Sequence, residues 1–488
     1  MRFPVFLNRI NVCLSLVIAL LLVEVTEIHA AKKIFQAGAA AVDITPLKLP
    51  VSMTGSFQDR FAQSAHDPLH ARSLVLDDGN SQIAFVIVDS CLLTRDIQDA
   101  AKEQAHQLTG IPVNRMLIAA THTHTAPTSV PLAQCHPDLD YVKYMTGRIA
   151  VSIQQAQKKL KPAQAGWAVV SEPNEVGNRR WKMKPGSIPA NPFGQTTDRV
   201  RMNPPRASAD LIEPAGPIDP DISFLYIKGI DEKPIAVMAN YSLHYVGGLP
   251  PNQLSADYFG EFARRIHQKL GGEKEAPDFV GMLSNGTSGD INNYNFRKPR
   301  PRAKPFERIE AVAEIVAEHA HSAIQKMKFK TRVPLKMAEK EIELKVRKPD
   351  EVELVRAKRI LAEAKDPKRL NSVELYAQET VRMVDFPDAV KIKLQAIKVG
   401  PVGITANPCE SFAEIGLELK AKSPFKTTFN IGLANGYNGY LPTPRQHALA
   451  GYETWRSAWS YLEVDASTHV TTTLLELLQE LKSANKSK

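Results

Sequence analysis

Cysteine is scarce. Four cysteines occur in 488 residues, at positions 13, 91, 135 and 409, and no two stand at the CxxC spacing of a zinc knuckle or a redox dithiol. Tryptophan is as rare, with four residues, and aromatics make up 7% of the chain. No basic cluster is interleaved with aromatics, so binding to nucleic acid has no support in the sequence. Beyond the first thirty residues no apolar run approaches the roughly 20 residues that a membrane-spanning helix needs. Charge of one sign is not in large excess: 61 Lys and Arg against 52 Asp and Glu leave a net +9. That excess is scattered and reads as a solvated basic surface that favours anionic surroundings. What remains is an ordinary globular composition, 43% hydrophobic and 23% charged, with length for one large catalytic domain or two smaller ones.

Residues 1 to about 30 read as a secretory signal, with Arg2 and Arg9 at the edge of the apolar stretch Val12–Val23 and small residues Ala30 and Ala31 beyond it. A retained anchor is the rival reading, against which the apolar run is short. The signal predicts a secreted or extracytoplasmic protein, in the periplasm or at the cell surface of a bacterium, with a domain over residues 31–488. Cys13 leaves with the signal. Cys91, Cys135 and Cys409 remain, an odd number in an oxidising compartment, and their spacing does not say which pair would form a disulfide. Oligomeric state is open.

Strand-like and helix-like segments alternate along most of the chain, for example strand Gln82–Asp89, helix Asp96–Leu108 and strand Met116–Ala120. The expected fold is α/β, a mixed and partly parallel sheet core with flanking helices. Residues 172–220 are rich in Pro, Asn, Arg and Gly and read as a long irregular loop or lid, least regular over 182–205, with no role assigned. Residues 482–488 read as a basic tail.

In such folds ligands collect beyond the carboxyl ends of strands. Five of these ends carry polar chemistry. His122 and His124 follow Leu117–Ala120, and their i, i+2 spacing puts both on one side of an extended chain. His244 follows the run from Ile235, Glu410 follows the run from Val402, and Tyr437 and Tyr440 follow Phe429–Gly436. The fifth end is the polar loop 284–293, whose glycines are expected to let backbone amides approach a substrate. Two histidines and a carboxylate form a ligand set of catalytic zinc. Each residue also has a bland reading: His244 as a core histidine, Glu410 as a carboxylate at a helix start, the tyrosines as packing.

These residues, with Ala41-Val42-Asp43-Ile44-Thr45-Pro46, Ala120–Pro127, Asn178-Arg179, Gly289-Asp290 and Asn435–Tyr440, resemble the neutral (non-lysosomal) ceramidase family, zinc amidases that cleave the N-acyl bond of ceramide. The resemblance runs from Ala37 to about Ala466. It implies one Zn2+ per chain held by His122, His244, Glu410 and Tyr440, with His124 handling a proton. Tyr452, twelve positions after Tyr440, is implied as an oxyanion donor and Arg179 as an active-site cation.

The chain departs from the family at Asn292, which stands where the family has a serine tied to catalysis and the ceramide head group. An asparagine cannot act as that nucleophile. The chain also ends about twenty residues after Thr468, before the family's immunoglobulin-like C-terminal domain would begin. The expected function is a secreted zinc hydrolase of an N-acylated, lipid-like substrate, with peripheral membrane contact. An esterase or amidase acting on a non-sphingoid substrate is the first alternative, and a non-catalytic binding protein on the same fold is the second.

Overall fold

Continuous apolar runs such as Ile83–Val88 mark strands covered on both faces, and a second sheet on one side and helices on the other provide that cover. The computed structural model describes Met1, residues 34–299 and residues 302–483, so the expected signal over residues 1–30, apart from Met1, and the end of the expected basic tail lie outside the described residues. The described residues from Phe35 onward form one compact unit. The larger sheet comprises β1 (Gln36–Asp43), β2 (His70–Asp77), β3 (Gln82–Val88), β4 (Met116–Ala120), β5 (Lys161–Ser171), β6 (Asp221–Gly229), β7 (Pro234–Tyr241) and β8 (Val280–Asn285). Its spatial order is β8-β7-β6-β5-β1-β2-β3-β4. Inner neighbours pair antiparallel, while β3–β4 at one edge and β7–β8 at the other run parallel.

The second sheet holds β9 (Leu335–Lys345), β10 (Ala389–Val399), β11 (Val402–Ala406) and β12 (Thr427–Ile431), in that order, with β11 and β12 parallel. Residues of both sheets share one core cluster. Ile83, Phe85 and Ile87 of β3 meet Ile404, Phe429 and Ile431 there. The alternate residues Ala84, Val86 and Val88 turn to the other face, against α1 (Arg95–Thr109) and α2 (Leu139–Lys158). On the other half of the large sheet, Val237, Ala239 and Tyr241 pack under α3 (Asp257–Lys269) and α4 (Glu307–Ile324). The outer face of the second sheet packs Ile392 and Leu394 against α7 (Ala413–Lys422) and α8 (Ala466–Ser483). Each fully buried aliphatic or aromatic side chain contributes about 1.5–3 kcal/mol. The layers are therefore helix, sheet, sheet, helix.

A helical pair, α5 (Glu351–Ala362) and α6 (Ser372–Arg382), connects β9 to β10 and packs Leu361, Leu375 and Tyr376 with Tyr440 and Trp459. Each begins with a capping box, Asp350 with Glu353 and Asn371 with Glu374. Segment 172–220 is irregular over much of its length, yet it folds a small antiparallel sheet from Arg180–Met183, Val200–Met202 and Leu211–Pro214. No helix among the described residues is long and apolar enough to cross a membrane.

Candidate metal centre and cavity

Three parallel strand pairs direct their carboxyl ends to one place. β3 leads to Cys91, β4 to His122 and His124, β7 to His244, β11 to Glu410, and β12 to Tyr437 and Tyr440. Backbone bonds tie the ends together: Ala120 N–H donates to Leu433 O (3.2 Å), Asn435 N–H to Ile118 O (2.9 Å) and Gly432 N–H to Asn285 O (3.0 Å). Glu410–Ser411 pairs with Tyr440–Leu441 in a short parallel bridge, which fixes the carboxylate beside the tyrosine.

His122 does not continue the strand. Its φ of 72° is left-handed, a conformation that costs a residue with a side chain about 1–3 kcal/mol, and two bonds hold it there. The His122 N–H donates to Ser90 O (2.9 Å) and Nδ1 donates to Cys91 O (2.6 Å). The two imidazoles therefore meet edge to face, 4.7 Å between centroids, through a turn and not through strand alternation. His244 Nδ1 donates to Ser288 O (2.9 Å) and His124 Nδ1 to Gly55 O (3.1 Å).

A carbonyl oxygen only accepts, so all three Nδ1 atoms carry protons and the three Nε2 atoms present lone pairs in their neutral rings. Those lone pairs converge. His122 Nε2 lies 2.9 Å from His244 Nε2, 3.3 Å from His124 Nε2 and 3.3 Å from Glu410 Oε2, and His244 Nε2 lies 3.7 Å from Glu410 Oε2. Glu410 Oε1 accepts from Tyr437 Oη (3.0 Å), while the buried Oε2 faces the His122 and His244 rings without a well-formed hydrogen bond. Acceptors packed this closely need a cation between them. A proton on one imidazole satisfies a single pair, whereas a metal ion satisfies the set, and His122, His244 and Glu410 form a group that could hold one.

Electrostatics express the same crowding. Burial lowers the His122 pKa, yet Glu410 and Cys91 together outweigh it and the net shift is well upward. Burial and the neighbouring His122 push His124 and His244 well below the ordinary histidine value. Burial disfavours the Glu410 carboxylate, but His122 and Arg179 hold its pKa below the usual range.

The centre forms the floor of a cavity of about 260 Å³. His122, His124, Arg179, Asn292, Glu410, Tyr440 and Tyr452 line it, together with Phe57, Leu92, Leu132, Met202 and Trp459. His244 lies behind this wall, fully buried. Arg179 Nη2 donates to Tyr440 Oη (3.0 Å) and Nε to Glu453 Oε1 (2.9 Å). The second oxygen of Glu453 accepts from Arg180 Nη1 (2.6 Å), so one carboxylate with no exposed surface holds two buried arginines. Tyr440 and Tyr452 meet edge to face at 5.8 Å. Asn292 Nδ2 donates to Asn203 Oδ1 (2.6 Å).

No protein-family model and no curated protein matches the sequence. Several solved structures match the fold, two ceramidases among them. Neutral ceramidase from Pseudomonas aeruginosa superposes with a TM-score of 0.67 at 16% identity, over 92% of this chain and 75% of that one. A ceramidase complexed with C2 gives 0.69 at 16% identity, over 92% and 76%. The chain has the neutral ceramidase fold. At this identity the ceramidase likeness is one of backbone, and the side-chain geometry stands on its own distances.

Within that ceramidase fold all eight residues singled out from sequence come together at or directly behind one cavity. The glycines of the polar loop do not serve a substrate as expected. A Cβ on Gly289 would lie 2.3 Å from Glu410 O and one on Gly286 2.6 Å from Ser242 Oγ, so both glycines permit packing of the site's own walls. Asn240 and Asn285, each in a glycosylation sequon, are buried and hydrogen-bonded within the protein. Cys91, Cys135 and Cys409 are buried and free.

Sequence reasoning missed Glu453, Arg180, Asn203 and Gly55. Paired Arg179-Arg180 was the available signal, because two adjacent buried guanidiniums require a carboxylate. Gly55 has φ 109°, and a Cβ there would sit 2.5 Å from His124 Cβ. Gly55→Ala is expected to cost about 1–3 kcal/mol and displace His124, measured as a lowered denaturation midpoint.

Proposed function

We propose that this chain is a secreted zinc-dependent hydrolase that cleaves the amide bond of an N-acylated, lipid-like substrate, as a ceramidase does. The observation that carries the reading is the convergence of the His122 and His244 Nε2 atoms on the buried Glu410 Oε2. His122, His244 and Glu410 would hold the ion, with Tyr440 as fourth ligand. When bound, zinc supplies Lewis acidity and brings the pKa of a water at the site to about 7.

The protein's own groups divide the remaining work. Tyr437 orients Glu410, and Cys91 O and Ser288 O fix the tautomers of His122 and His244. His124 Nε2, a neutral acceptor on the cavity wall, takes the proton released from the attacking water and returns it to the departing amine. Arg179 and Tyr452 face the same space and donate to the developing oxyanion, a role worth about 10²- to 10³-fold per donor. Phe57, Leu92, Leu132, Met202 and Trp459 offer an apolar surface to the acyl part. Support for a lipid amide also comes from the names of the two structural neighbours, one of them determined with C2. The apolar stretch near the amino terminus supports export.

A second reading keeps the hydrolytic centre and changes the substrate to a non-sphingoid amide or ester. Asn292 favours it, since a carboxamide held by Asn203 replaces a hydroxyl at the cavity wall. The test is metal analysis of the purified protein with an assay of ceramide, simple N-acyl amides and esters. Amine release from ceramide supports the first reading, and turnover of simple amides or esters alone supports the second. Bound metal with no turnover on the panel would make the chain a non-catalytic binding protein. If the carboxamide pair contacts substrate, Asn203→Ala is expected to change the ratio of kcat/KM values between two amide substrates about tenfold. An unchanged ratio removes Asn292 and Asn203 from specificity.

A further inference from the structure

His122 is flanked on two sides. One side carries His244 and Glu410. On the other, Cys91 Sγ lies 3.8 Å from His122 Nδ1, and Cys91, His122 and His124 form a second group whose ligand atoms all lie within 4.8 Å of one another. The Cys91 thiol and the His124 ring both line the cavity. Neither is needed by the ion assigned to His122, His244 and Glu410. His124 Nε2 is a lone pair, because Nδ1 donates to Gly55 O, and its ring is fixed by stacking on Tyr245, 3.9 Å between centroids and 19° from parallel. The backbone carbonyl of Cys91 is committed to His122, while its sulfur makes one long contact, to His122 Nδ1.

We propose that Cys91 and His124 form a second, thiophilic metal site beside the first, which takes a soft divalent ion such as Cd2+ or surplus Zn2+ and blocks the cavity. A thiol and an imidazole are ligands that soft and borderline ions prefer over carboxylate oxygen. Binding replaces the S–H bond with an S–metal bond and releases the proton to solvent; no electron is transferred. Two protein ligands leave the remaining positions to water, so the site fills only after the three-ligand centre beside it. Occupation removes the His124 lone pair from the reaction and places a cation where substrate would lie. The blocking effect rests on the proposed hydrolysis, whereas metal binding at Cys91 and His124 does not.

The experiment titrates the zinc-loaded protein with Cd2+ and follows the ultraviolet charge-transfer absorbance of a thiolate–cadmium bond, with released zinc measured in parallel. A saturable band in the unmodified protein that is absent in both Cys91→Ala and Cys91→Ser, with zinc retained, is the expected result. The two variants guard against one that fails to fold. No band in the unmodified protein, a band that survives in both variants, or stoichiometric zinc release would each overturn the proposal. Where hydrolysis is measurable, the Cd2+ inhibition constant is expected to rise on the order of 10- to 100-fold in Cys91→Ala, and an unchanged constant contradicts the blocking role. If no amide or ester is hydrolysed, the absorbance titration still decides the metal site.

Discussion

Replacing His244 with alanine is expected to abolish zinc binding and amide hydrolysis together, and His122→Ala to do the same. Both imidazoles present Nε2 to a shared point, and their Nδ1 atoms are anchored by Ser288 O and Cys91 O. Loss of a residue that merely orients a ligand lowers metal affinity about 10- to 100-fold, so loss of the ligand itself should exceed 100-fold. A folded-state readout separates this from general damage. Zinc at about 1,000 times its dissociation constant adds roughly 4 kcal/mol to stability, and that increment should vanish in both variants. A variant that keeps full zinc content and its zinc-dependent stabilisation would remove its histidine from the ligand set.

The largest stability effect is expected at Glu453. Its carboxylate is fully buried and is the shared partner of Arg179 and Arg180, themselves almost without exposed surface. Glu453→Ala leaves two desolvated guanidiniums without their counter-charge, a change that costs about 3–5 kcal/mol. Arg180 retains Gln446 Oε1 and the carbonyls of Gln446 and Ala450, so the damage should concentrate at Arg179 and, through it, at Tyr440. Glu453→Gln keeps one acceptor in place and should lose less. Urea denaturation of the three proteins checks the order, and equal midpoints for Glu453→Ala and the unmodified protein would contradict the network.

The site was more legible in sequence than the full layer order. Val402–Ala406 and Met116–Ala120 are covered on both faces, so their apolar runs end abruptly and the polar residues beyond them fall at the sheet edge where ligands gather. His122, His244, Glu410 and Tyr440 were visible for that reason. Helices α1 to α5 were legible from apolar spacing such as Ile97, Ala101 and Ala105. Other elements hid behind composition. β1, Gln36–Asp43, is mostly alanine and glycine, poor strand formers that are held by pairing with β2 and β5. β9, Leu335–Lys345, mixes Lys, Glu and Ala with alternating apolar residues on a partly exposed strand, a pattern compatible with either period. α8 carried a readable signal in Val470, Leu474, Leu477, Leu478 and Leu481 that the reading passed over.

Segment 172–220 shows a different limit. Its Pro and Asn content points to irregular backbone, but composition says nothing about where such a segment docks. Arg179, Met202 and Asn203 reach the cavity wall from it, and Asn178 bonds Asp290 of the polar loop. Long-range bonds such as Arg179 to Glu453 join residues 274 positions apart, a pairing that only the closed fold reveals.

The most direct test measures amine release from an N-acyl lipid while zinc is withdrawn by a chelator and then restored. The account predicts that turnover falls and recovers in proportion to zinc held at one ion per chain. Turnover that persists in fully zinc-free protein would contradict it.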